Sequence, residues 1–128
     1  MLGDARRNNF DEALDQVIAE LPENLRALLE KVPLIVEDEP SQELADELGV
    51  DRRTTELCGL HSGVPLTQRS VQDSTRLPDR MMLFRGPIER VARHRHESRN
   101  RQMRTTLLHE IGHHFGLDEE DLSQLGYA

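Results

Sequence analysis

The run His109-Glu110-Ile111-Gly112-His113 is where this sequence first suggests chemistry. Two imidazoles four residues apart stack on one face of a helix, about 6 Å from each other, so both can aim a ring nitrogen at one metal ion. Zn²⁺ is the natural occupant of such a pair. Glu110 is rotated about 100° from His109 around the helix axis. It is better placed to reach a water at the metal than to be a ligand itself. Zinc lowers the pKa of that water toward ~7, and Glu110 would take its proton as general base. With 6 histidines in 128 residues, a chance match to this pattern has a probability of roughly 0.03.

A hydrolytic zinc needs a third protein ligand. Gly116 follows His113 by three residues and Glu119 follows it by six. This reproduces the spacing His-Glu-x-x-His-x-x-Gly-x-x-ligand, in which the glycine lets the chain turn back under the metal. Glu119 is therefore the expected third ligand, with Asp118 and Glu120 as neighbouring substitutes. Asp118 is better read as a helix cap, because Asp121 three residues on completes a capping box. His114, four residues after Glu110, either supports that carboxylate or is a buried structural histidine. His61 ends a candidate strand, from which it could approach the site. His94 and His96 read as solvated, and Cys58 as a small buried hydrophobe.

These residues need a frame. Met103, Leu107, Ile111 and Phe115 recur every four residues, marking the buried stripe of a helix from about Arg99 to Phe115, with Gly116 as its stop. A short helix from Glu119 to Leu125 follows. Upstream, Phe10, Leu14, Val17, Ile18 and Leu21 predict an amphipathic helix over 10–21, preceded by a flexible N-terminus over 1–9. Pro22 suits the first turn of a second helix. Leu34-Ile35-Val36 is a strand candidate, and Ser41–Leu48 a short helix ending at Gly49. Leu57–His61 and Arg80–Phe84 read as antiparallel strands joined by a long loop over 62–79, with a short strand possible near Val64–Thr67. Such a loop is usually functional, and this one is expected beside the zinc site as a lid. Residues 87–98 read as partly helical.

Composition narrows the class. The net charge is −8 and the mean hydropathy −0.64, with no long apolar run, so a membrane span is not expected. No secretory leader is visible in the first ten residues, which makes the cytoplasm the expected location. The single cysteine excludes an intrachain disulfide. Seven arginines fall between Arg85 and Arg104 against only Glu89 and Glu97. That stretch could face a polyanion or simply water. The chain lacks the recognition aromatics and zinc-finger spacing of nucleic-acid binders, which argues against that partner.

Three blocks resemble the small bacterial zincin-like metallopeptidase family: Leu57-Cys58-Gly59-Leu60-His61-Ser62-Gly63-Val64-Pro65-Leu66-Thr67, Leu77 through Pro87, and Thr105 through Leu122. With Val36–Pro40, the match runs over most of residues 10–128. The family commonly has tyrosine where this chain has His61. The methionine turn of the metzincins has no counterpart, since all four methionines precede the zinc motif. The resemblance implies an α+β minimal zincin fold over 10–128: a small mixed sheet, an active-site helix and a short C-terminal helix. It implies Zn²⁺ as cofactor and peptide or protein as substrate. The expected reading is a zinc-dependent peptidase with His109, His113 and Glu119 on the metal and Glu110 as base. The strand around Met82–Arg85 is expected to pair with extended substrate by β-augmentation. The alternative is a metal-binding or interaction module on the same fold that hydrolyses nothing.

Overall fold

In the computed structural model, which describes residues 2–62 and 80–124, the four-residue stripe becomes the axis of the core. Helix α5 spans Arg99–Phe115, and its Met103, Leu107 and Ile111 are fully buried. Ser98 caps its first turn, accepting the Arg101 N–H at 3.1 Å, and Gly116 ends it at φ 68°, the left-handed region glycine tolerates. Around it lie α1 (Asp4–Ala19), α2 (Glu23–Leu29), α4 (Arg85–His94) and α6 (Glu119–Gln124), all packed against α5. A further helix, α3 (Gln42–Leu48), is capped by Ser41 and stopped by Gly49. Phe10, Leu14, Val17, Leu25 and Ile88 join the α5 stripe in one hydrophobic cluster.

Among the described residues the sheet has three strands, in the order β1 (Leu34–Glu37), β3 (Arg80–Phe84), β2 (Gly59–Ser62). β1 runs parallel to β3 with Leu34 opposite Met81, and β2 runs antiparallel with His61 opposite Met81. Mixed strands against segregated helices make this an α+β fold with a small mixed sheet, as expected.

Two expectations are corrected. The strand around Met82–Arg85 cannot accept a peptide along its edge, because β3 is central and both its sides are already hydrogen-bonded. The bounds of the first helix differ as well: α1 runs over Asp4–Ala19, where the apolar spacing predicts a helix over 10–21. Polar contacts hold that N-terminal extension, and Leu2 just ahead of it is buried. Arg7 pairs with Asp38, Arg6 with Glu89, and Asn9 accepts from Arg99. The expected loop over 62–79, its short strand and its place as a lid fall outside the described residues, save for Ser62 at its start.

Much of the basic stretch faces carboxylates of other elements. Arg85 bonds Asp11 and Asp38, Arg90 bonds Glu39 and Glu56, and Arg99 lies 4.0 Å from Glu89. Among the described residues, no helix is long and apolar enough to cross a membrane.

Candidate metal centre

The motif residues occupy the last two turns of α5, beside β2. One helical turn separates His109 from His113, and their ring centroids lie 4.2 Å apart. Both side chains are exposed while Glu110 between them is buried. This is the arrangement i, i+4 spacing produces when one edge of a helix meets solvent and the adjoining edge meets a strand.

That strand comes very close. A Cβ on Gly59 would stand 2.8 Å from Thr106 Cγ2, 3.1 Å from Glu110 Cγ and 3.1 Å from the Met82 carbonyl. Only glycine lets β2 lie this near α5. A glycine inside a strand signals such an approach, and this is the site residue that spacing of the metal motif alone does not reveal.

The approach carries His61 to the centre. Its Nδ1 is 3.8 Å from Glu110 Oε2, and its ring is 5.6 Å from that of His113. On the other side, His113 Nδ1 is 4.0 Å from Glu110 Oε1. His61, Glu110 and His113 each offer a ligand atom, all within 4.8 Å of one another. His109 and Glu119 lie outside that group, and Glu119 is exposed at the first residue of α6.

Electrostatically the site is short of positive charge. Burial pushes the Glu110 carboxyl up to about 7, and its Oε2 is buried with no hydrogen-bond partner among the described residues. Burial also lowers the imidazoles of His61 and His113, as do their histidine neighbours. Neutral imidazoles beside an unpaired buried carboxylate oxygen are the donor set a divalent cation satisfies. The residues therefore fit a zinc ion.

The surroundings sort the other candidates. Asp118 and Asp121 form the reciprocal cap: the Asp121 N–H donates to Asp118 Oδ1 at 2.8 Å, and the Asp118 N–H to Asp121 Oδ2 at 3.0 Å. Asp118 is thus engaged in starting α6, as its sequence position predicts. Gly112 lets α6 come back onto α5, since a Cβ there would lie 3.1 Å from the Leu117 carbonyl. His114 is buried, with its ring edge-on to Phe115 at 4.8 Å and to His61 at 6.1 Å. His94 and His96 are exposed at the end of α4.

A cleft of about 420 Å³ runs along this meeting of strand and helix. Leu57, Leu60 and Cys58 line one wall, and Thr105, Thr106, His109, Glu110 and His113 the other. Cys58 is half-buried against the core, and desolvation raises its thiol pKa, the condition of an inert rather than a reactive cysteine. A larger depression of about 780 Å³, bordered by Arg6, Asn9, Arg93 and Arg99, shares no residue with the cleft.

With the geometry in view, a family model described as a zincin-like metallopeptidase matches residues 29–127. The matched span takes in the three strands, α5 and α6. Among curated proteins, none matches the sequence.

Proposed function

The chain belongs to the zincin-like metallopeptidase family, and on that premise we propose that it is a zinc-dependent peptidase cutting flexible, extended peptide. His109, His113 and Glu119 hold the metal, and Glu110 is the general base. Bound zinc supplies Lewis acidity, which lowers the pKa of a water toward ~7 and polarises a carbonyl.

The chain's own residues do the rest. His109 and His113, one turn apart, present both imidazoles from a helix locked by its buried stripe, so their spacing is set by the core. Glu110 reaches the same place from the buried edge of that helix. Held there by Gly59 and Thr106, its carboxylate is positioned to take a proton from the attacking water and to return it to the leaving amine. Extended substrate lies along β2, an edge strand among the described residues, whose Gly59, Leu60 and His61 line the cleft. β2 thereby takes the role expected of the strand around Met82–Arg85.

The observation that best supports this reading is the buried Glu110 oxygen, without a hydrogen-bond partner among the described residues, beside imidazoles that could hold a cation and its water in front of it. The test is a peptide-library digest by zinc-loaded protein, with Glu110→Gln as the control. Wild type cleaves, whereas Glu110→Gln retains zinc and loses turnover. Hydrolysis surviving in pure Glu110→Gln excludes the base assignment. Stoichiometric zinc with no cleavage of any peptide instead marks a binding module on a zincin fold.

A further inference from the structure

We propose that His61 is a metal donor of this centre, contributed from the strand side of the cleft. The inference rests on the metal-centre reading above and adds a ligand that the helix motif does not contain.

Position comes first. Ligand atoms of His61, Glu110 and His113 lie within 4.8 Å of one another, although β2 and the end of α5 are remote in sequence. The register of β2 on β3 and the tight seat of Gly59 on Thr106 fix the strand that carries His61. The imidazole thus sits on a held element.

Need comes second. The Glu110 side chain is only 8% exposed, and among the described residues its Oε2 has no hydrogen-bond partner. A buried carboxylate oxygen left this way costs free energy. His61 does not relieve it directly, because 3.8 Å exceeds hydrogen-bond distance. A cation held between the His61 nitrogen and the α5 imidazoles would bring to this oxygen the water that Glu110 deprotonates, which accounts for an imidazole that stops short of a direct hydrogen bond. His61 lies beside Glu110 and the rings of His113 and His114. Neutral imidazole is also the commonest nitrogen donor to zinc.

Two measurements on the full chain decide the matter. Zinc affinity is read by chelator competition for wild type, His61→Ala and His113→Ala. Loss of a donor should weaken binding at least about tenfold, since even groups that only orient ligands are worth that much. His61→Ala should meet this figure, and His113→Ala should exceed it. An unchanged affinity in His61→Ala with loss in His113→Ala removes His61 and leaves the centre standing. Unchanged affinity in both removes the metal centre itself.

Because an orienting role would also lower affinity, and because His61→Ala could fail to fold, the second readout is spectroscopic. His61→Cys is made in a Cys58→Ser background and loaded with Co²⁺. A ligating position 61 places the new thiolate on the metal and gives a thiolate-to-cobalt charge-transfer band, absent from Cys58→Ser alone. Cobalt binding without that band overturns the proposal.

Discussion

Gly59 and Glu110 face each other so closely that a Cβ on the glycine would lie 3.1 Å from the Glu110 Cγ. The nearer obstacle is the Thr106 methyl at 2.8 Å, on a side chain whose hydroxyl donates to the Gln102 carbonyl at 2.8 Å. That bond keeps the Thr106 side chain from swinging away. Gly59→Ala should therefore lower stability by about 1–3 kcal/mol, the usual cost of overpacking, as measured by urea unfolding. Thr106→Ser removes the methyl and keeps the hydroxyl, so the double variant should recover part of that loss. A Gly59→Ala protein as stable as wild type would mean that β2 can move off α5.

The third-ligand assignment makes a sharper demand. Glu119→Ala should weaken zinc binding at least about tenfold, while Glu120→Ala stays within about twofold of wild type. Chelator competition measures both. Equal losses, or a greater loss at Glu120, would move the ligand along α6.

The contrast between these two sites shows what was legible in the sequence. The whole of α5 could be read because its determinants are local: a stripe every four residues and a glycine stop. The Asp118–Asp121 cap was equally local. Other features depend on partners distant in the chain. The pairing of Arg6 and Arg7 with Glu89 and Asp38 extends α1 back to Asp4, and no periodicity announces it. The residues Arg80–Phe84 identify themselves as a strand but not as the central one, because the parallel partner β1 is supplied from far upstream. The arrival of His61 beside Glu110 likewise depends on antiparallel register and on the space left at Gly59.

The Asp38 carboxylate ties α1 to the start of α4. Its hydrogen bonds from Arg7, the shortest 2.6 Å, hold the carboxyl below its ordinary value of 3.8, and Arg85 lowers it further. A depressed folded pKa means stability that is present above the ordinary value and lost as pH falls through the folded one. Asp38→Asn should thus lower stability at pH 7 by about 1 kcal/mol, the scale of a partly solvated ion pair. The gap from wild type should close as the pH drops below 3.8. Denaturation curves at several pH values check this, and a gap that does not change with pH would deny the ion pair its role.

Removing the metal exposes the opposite dependence at Glu110. In metal-free protein, burial raises this carboxyl from its ordinary value of 4.5 to about 7. The folded state then holds its proton where the unfolded chain has released it. The sign follows: stability from this group is fully present below 4.5 and is lost as pH rises through about 7. At 1.36 kcal/mol per pKa unit, the loss is about 3 kcal/mol. Glu110→Gln keeps the shape and cannot ionise. Once stripped with chelator, it should be more stable than wild type at pH 8 and no more stable at pH 4. Zinc should narrow that difference at pH 8, because the cation favours the charged carboxylate that burial opposes. Thermal melts of both proteins, with and without zinc at the two pH values, measure all four terms. If the stripped proteins melt alike at pH 8, Glu110 is not held under strain in the absence of metal.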